Sequence, residues 1–308
     1  MEKRYLKTLS LLPGTMTDRV IKAYYPLPHF PPLSFSNTCN LSCLHCQGQY
    51  LKSMKKCTTP QELYCFAQEL SHQGGTGFLA SGGFTPTGTL LNLNTMIPSL
   101  ARIKKTTSLV VALHTGFVTR HMAQKIQQTG IDVVCPHVMG DEDAIQEIMG
   151  LSATPQDFSQ TLRTLHEAQI AVSPHICAGI YWGRLQGEKE ALVHIKESCQ
   201  PETVVLTTLC PTRNTPMKSS SVLSPVHLAD IIKQACDLFP QVDISLGCMR
   251  PRQRSLEIHA LHAGITRIAN PSKSFLTYAK KKGYRIKTYA ACCGVPSTCE
   301  QHTETTAV

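Results

Sequence analysis

The 308 residues are 42% hydrophobic and 17% charged, enough to bury a large core as one α/β barrel or as two smaller domains. Met1–Ser10 carries Lys and Arg but no apolar core or small-residue cleavage site, and no apolar stretch is long enough to span a bilayer, so a soluble cytoplasmic protein without a membrane partner is expected. In a reducing compartment the 14 Cys are not a disulfide framework, and clustered Cys become metal ligands or catalysts. The formal charge of +9 comes from scattered Lys and Arg without interleaved aromatics, which argues against nucleic acid and leaves an acidic protein partner or a plain solvated surface.

Residues 1–32 read as an irregular N-terminal extension, rich in Pro26, Pro28, Pro31 and Pro32. From residue 33, short apolar runs alternate with helix-length segments of mixed polarity, the rhythm of β/α repeats. Strands are predicted at 33–37, 77–80, 109–113, 132–135, 171–177, 203–208, 242–246 and 264–268. Helices between them include 60–71, 118–129, 154–168 and 224–239. A parallel (β/α)8 TIM-type barrel is expected over residues 33–281, with chemistry where the strands end. A tail over 282–308 follows, holding Cys292, Cys293 and Cys299 among Gly and Pro, and its last eight residues are expected to be disordered.

Directly after the first predicted strand stands Cys39-Asn40-Leu41-Ser42-Cys43-Leu44-His45-Cys46. Three thiolates spaced CxxxCxxC on one loop can hold three irons of a 4Fe–4S cube and leave the fourth without a protein ligand. An open iron can chelate the amino and carboxylate groups of S-adenosylmethionine. A structural zinc site is the rival reading, but it wants four ligands in two close pairs, and here His45 is only a strained fourth. Three unrelated buried Cys is the blander alternative.

CxxxCxxC after a first barrel strand resembles the radical S-adenosylmethionine superfamily. That resemblance implies Cys39, Cys43 and Cys46 as cluster ligands and catalytic residues. It implies that Ser81-Gly82-Gly83 binds the methionine moiety in place of the GGE motif, with Phe84 where Glu is usual. It further implies Gly179 and Gly183 in an adenine-binding segment with Gly187-Glu188, and Thr215 within Pro211–Met217 closing over the nucleoside. His45 stands where many members carry an aromatic residue. Read without the family, each Gly segment is equally a turn. His114, His137 and Asp141 follow the third and fourth strands and are candidates for the ribose hydroxyls or the carboxylate, although a lone His at a strand end is commonly structural.

Cys65, Cys199 and Cys236 fall in helices and read as buried small hydrophobes. Cys248, in Gly247–Arg252 past the seventh strand, and Cys292, Cys293 and Cys299 of the tail are different, because a Gly/Pro-rich tail that folds over the catalytic face would bring them together. A second iron–sulfur cluster, structural or redox thiols, and zinc are the readings for this set. Arg250, Arg252 and Arg254 are candidates for an unusual ligand, an anion site or a solvated edge.

Together, CNLSCLHCQGQYLKSM, GFLASGGFTPTG, CPHVMGDEDAI, PHICAGIYWG, PTRNTPM, LGCMRPR and the tail CC are similar to the second subunit of the two-subunit lipoyl synthases, which are biotin synthase-like radical enzymes. The resemblance implies sulfur insertion into a protein-bound octanoyl chain, with the second cluster as sulfur donor. It also implies three partners: a companion radical subunit, an octanoylated lipoyl-carrier protein and a low-potential electron donor. An acidic carrier would suit the +9 charge. A radical enzyme of another outcome, such as methylation or rearrangement of a small metabolite, and a non-catalytic scaffold subunit are the competing expectations.

Overall fold

The computed structural model describes residues 19–305. All eight expected strands form: β2 (Pro32–Ser34), β4 (Gly77–Ser81), β5 (Val110–Leu113), β6 (Val133–Val134), β7 (His175–Ala178), β8 (Thr203–Thr208), β9 (Asp243–Leu246) and β10 (Arg267–Ala269). Three more were not expected: β1 (Val20–Tyr24), β3 (Lys55–Lys56) and β11 (Arg285–Tyr289). Strand order is β11-β1-β10-β9-β8-β7 in one sheet and β3-β2-β4-β5-β6 in the other. Parallel bridges Val134–Val172 and His137–His175 join the two at β6 and β7. The result is the expected TIM-type parallel barrel with helices outside.

The helices begin where their sequences signal it. Thr59 and Glu62 make a reciprocal capping box before Pro60–His72, Thr154 and Asp157 do the same before Pro155–Glu167, and the Ser224 side chain caps Pro225–Leu238. Each has Pro in its first turn, where the missing N–H leaves no bond unmade.

Alternation along the strands sorts the apolar side chains. Val111, Leu113, Val204 and Leu206 face the helices. Val110, Ala112, Val133, Cys135, Val205 and Ala269 face inward, where they pack with Ala291, Cys293, Val295 and Cys299 of the C-terminal segment.

The expected boundaries at 32 and 281 therefore do not coincide with the sheet. β1 lies within the supposed irregular extension and β11 within the supposed tail, and the two pair in parallel along their whole length. The tail enters the barrel at the end where strands begin, rather than folding over the catalytic face. Its short helix Ser297–His302 sits against the first residues of β9 and β10. Glu304 bridges back to Tyr289, so residues 301–305 are ordered against the expectation. Met1–Ser10 and the last three residues lie outside the described part. Among the described residues no helix is long and apolar enough to cross a membrane.

Arg267, 0% exposed, holds this plug in place. Its guanidinium donates to Asp243 Oδ2 at 2.6 Å, Val295 O at 2.6 Å and Ser297 Oγ at 2.8 Å, and pairs with Glu300 Oε1 at 3.0 Å. Lys22 Nζ bridges Asp243 and Glu300 at 3.0 and 2.9 Å, and Tyr24 donates to Glu300 at 2.8 Å. Two cations thus meet two carboxylates. Burial by itself would raise the Asp243 carboxyl, but Arg267, Thr266 and Lys22 hold it down at about 2.

Removing the buried cation leaves carboxylates uncompensated, so Arg267→Met is expected to lower unfolding free energy by ~3–5 kcal/mol in a denaturant titration at neutral pH. Asp243 contributes stability above its ordinary value of 3.8 that is lost as pH falls toward about 2. The gap between wild type and variant should therefore narrow through that window. An equal gap at pH 7 and pH 3 would contradict the account.

Candidate functional site

The Cys39–Cys46 loop leaves β2 at the barrel mouth. Leu41 and Cys43 are buried and pin its middle to the core. Leu44 N–H donates to Ile148 O at 2.8 Å and the Cys43 thiol to Met149 O at 3.6 Å, so the π-helical turn Ile145–Met149 supports the loop from beneath. Asn40 N–H donates to Phe84 O at 2.9 Å, and Phe84 N–H donates to Cys39 Sγ at 3.2 Å.

Ligand atoms of Cys43, His45 and Cys46 lie within 4.8 Å of one another. Cys39 stands across the β4 end rather than inside that tight group. The Cys43–Cys46 pair shares a hydrogen bond that raises the Cys43 thiol and lowers Cys46, with His45 adding to the lowering of Cys46. One thiolate is thus already favoured on the loop, and thiolate is the form that ligates iron. Three Cys converging at a strand end, with two close enough to share a proton, fit an iron–sulfur cluster. His45 is placed well enough that the donor set also accommodates zinc.

The structure gives the Ser81-Gly82-Gly83 segment a packing duty. Gly83 N–H donates to Ser36 Oγ at 2.7 Å, and Gly83 O accepts from Leu91 N–H at 2.9 Å. A Cβ on Gly83 would meet Thr38 O at 1.9 Å and the Cys39 Cα at 2.5 Å, so only Gly lets the β4 end lie against the Cys39–Cys46 loop. Gly183, at φ 83°, is equally constrained: a Cβ there would meet Ser221 O at 2.0 Å. Gly179 N–H donates to the buried Glu188 carboxylate at 2.7 Å, which also accepts from Gln186 N–H at 2.6 Å. Thr215 is buried and donates to Thr212 O at 2.8 Å, while Tyr50, just after the Cys39–Cys46 loop, meets Thr212 Oγ1 at 2.9 Å and ties that segment to it. Asp141 caps the turn at Ala144 with a 2.8 Å bond and accepts from Gln186 at 2.7 Å, an occupation that explains it without a ligand.

His137 lines a cavity of about 100 Å³ with Leu41, Phe84, Thr115, Phe117 and Met149, beside the Cys39–Cys46 loop. Burial holds His137 at about 3 and His175 at about 4, and pushes His114 well below the ordinary range. All three rings are neutral at pH 7.

The second Cys set is only partly assembled. Cys248 is exposed, Cys292 half-buried and Cys293 buried in the barrel interior. Cys293 is held down at about 7 by the Cys292 hydrogen bond, with Arg267 and Arg250 assisting against burial. Cys299 packs in the same apolar cluster as Cys293 and lies 4.0 Å from Asp132 Oδ1. Among the described residues these thiols do not form a group as tight as Cys43, His45 and Cys46. Arg250 is buried and engaged by Glu257 at 2.6 Å, Gly247 O at 2.6 Å and Ala269 O at 2.8 Å, so it clamps the β9 and β10 ends. Arg252 donates to Asn270 O at 2.8 Å, and Arg254 begins the helix Arg254–Ala263.

Two features escaped sequence reading. Glu147 accepts from Tyr181 at 2.8 Å and Trp182 at 2.7 Å, joining the π-helical turn to the loop after β7. His114, Cys135 and His175, from three different strands, bring ligand atoms within 4.8 Å. Their spacing of 21 and 40 residues carries no motif.

No protein-family model matches the sequence, and no curated protein matches it either. Solved structures match in fold. HydG, a maturase of the FeFe-hydrogenase, superposes with TM-score 0.60 at 16% identity, over 81% of this chain and 56% of the maturase, so the chain spans little more than half of that protein. Methylornithine synthase (PylB) gives 0.58 at 15% identity, over 86% and 81%. An HMG-CoA lyase from Acinetobacter baumannii gives 0.51 at 9% identity, over 94% and 90%. At these identities the likeness establishes the parallel α/β barrel, and the lyase indicates that the barrel alone does not specify the chemistry.

Gly83→Ala is expected to force β4 away from Cys39, since backbone atoms at 1.9 and 2.5 Å cannot give way cheaply. Iron retained per chain after anaerobic reconstitution should fall well below wild type while the far-ultraviolet circular dichroism stays close to it. Full iron content in the variant would refute the packing role.

Proposed function

We propose that this chain is a radical S-adenosylmethionine enzyme. The carrying observation is the Cys39–Cys46 loop itself: three Cys at the C-terminal end of the first barrel stave, with the ligand atoms of Cys43, His45 and Cys46 within 4.8 Å of one another and Cys46 favoured as thiolate. The fold shared with HydG and methylornithine synthase supports the reading. With its partner S-adenosylmethionine, a 4Fe–4S cluster bound at such a site supplies a 5′-deoxyadenosyl radical on receipt of one electron.

The chain's own residues serve that chemistry in definite ways. Cys39, Cys43 and Cys46 would hold the cluster, and Phe84 N–H steadies the Cys39 sulfur. Gly83 sets the distance between β4 and the loop. Leu41, Phe84, Phe117 and Met149 give the cavity beside it a largely apolar wall, the surrounding a reactive radical would need. His137 borders the same cavity as a neutral ring able to donate or accept one hydrogen bond.

Within that class, the sequence resemblance supports sulfur insertion into the octanoyl chain of a lipoyl-carrier protein, alongside a companion radical subunit. The +9 charge suits an acidic carrier, and Cys248, Cys292 and Cys293 are the sulfur-donor cluster candidates. A second reading, another radical outcome on a small metabolite, is favoured by one observation: those thiols do not converge as tightly as the first set.

Cys39→Ala, Cys43→Ala and Cys46→Ala should each abolish 5′-deoxyadenosine formation under reducing anaerobic conditions. Normal yield in any of them would sink the radical reading. Cys248→Ala, Cys292→Ala and Cys293→Ala should spare 5′-deoxyadenosine formation while eliminating sulfur incorporation into an octanoyl-lysine carrier assayed with the companion subunit. Mass spectrometry of the carrier reads the outcome, and wild-type incorporation in all three variants would remove the sulfur-donor assignment while leaving the radical reading intact.

A further inference from the structure

We propose that His114, Cys135 and His175 form a metal site inside the barrel, separate from the Cys39–Cys46 loop, that takes one first-row divalent ion of the zinc class. Their ligand atoms, from the ends of β5 and β6 and the start of β7, all lie within 4.8 Å of one another. Two imidazoles and a thiol are the donor set that borderline-soft ions prefer.

Three independent observations point to a ligand. First, His114 Nε2 is enclosed and has no hydrogen-bond partner. A buried nitrogen left unpaired is destabilising, so its retention calls for something to bind. The neighbouring ring does not serve, since the His114 and His175 rings meet edge to face with centroids 4.8 Å apart. Second, His175 Nδ1 lies 2.9 Å from Ser173 O. That contact assigns the Nδ1–H tautomer and presents Nε2 as a lone pair, the arrangement in which a backbone carbonyl orients a metal-binding imidazole. Third, His114 and His175 are each only half-buried although they stand inside the barrel.

The surroundings supply what a closed site needs. Gly294 of the tail abuts the His175 ring, where a Cβ would lie 3.4 Å from Cε1. The Cys292–Cys293 pair lies within electrostatic range of Cys135. Barrel interiors of this class are ordinarily filled by branched apolar side chains, so three soft donors from three staves replace packing with a coordination point. On coordination the Cys135 thiol gives its proton to solvent, both imidazoles already being neutral, and no oxidation state changes. The assignment does not depend on the radical reading of the first loop.

The test uses the full chain carrying Cys39→Ala, Cys43→Ala and Cys46→Ala, so that the first loop contributes no metal. Stripped with chelator and kept anaerobic, it is titrated with Co²⁺ as the probe. One equivalent should bind, with visible d–d bands, a near-ultraviolet thiolate-to-cobalt band and release of protons to a pH indicator. His114→Ala, His175→Ala and Cys135→Ser should each weaken binding at least ~10-fold, and Cys135→Ser should diminish the thiolate band. Cys135→Ser is nearly isosteric, and an unchanged metal-free melting curve separates loss of a ligand from loss of the fold. Absence of Co²⁺ binding in the parent, or stoichiometry and spectrum unchanged by all three substitutions, would overturn the site.

Discussion

The buried guanidinium of Arg267 is the interaction on which the interior depends. It stands at the first residue of β10, and its donors are divided between a strand neighbour, Asp243, and four groups of the C-terminal segment: Cys293 O, Val295 O, Ser297 Oγ and Glu300. A guanidinium suits this place because its planar fork can serve several acceptors at once and is never deprotonated. Lys22 and Tyr24 complete the set from β1, so the strand nearest the N-terminus and the segment nearest the C-terminus are locked to the same two carboxylates. Closure of the barrel floor and placement of Cys292 and Cys293 follow from this one network.

At the opposite end the constraint is steric. Gly83 allows β4 to lie against Thr38 and Cys39, and Gly183 allows the loop after β7 to pass Ser221. These close approaches, with Glu147 joining the π-helical turn to Tyr181 and Trp182, draw the loops after β2, β4, β6 and β7 into one mouth. Glycines read as ligand-binding from sequence thus have a prior duty as spacers. The two roles are compatible, since main chain that approaches main chain closely can also approach a ligand closely.

Legibility from sequence differed by element. The eight staves and the capped helices were readable because apolar period and Ser/Thr-Pro starts are local signals. β1 and β11 were not readable. Val20–Tyr24 is followed by a Pro-rich stretch, and Arg285–Tyr289 carries two cations in five residues, so each acquires its strand character from pairing with a partner 265 residues away along the chain. The tail misled for the same reason. Cys292 and Cys293 in a Gly/Pro context look like surface ligands, whereas Ala291, Cys293 and Val295 fill the inside of the barrel.

The sequence by itself determined the barrel class, the order of its staves and the cluster-type loop, because each depends on residues adjacent in the chain: alternating runs, caps, and three Cys within eight positions. Only the tertiary structure decided which distant groups meet. It placed Arg267 between Asp243 and Glu300, put the tail inside the barrel, left Cys299 on the floor, and brought His114, Cys135 and His175 within one coordination radius. Their separation in sequence has no period and no motif, since neighbouring staves converge only once the sheet has curled and the strand stagger is set.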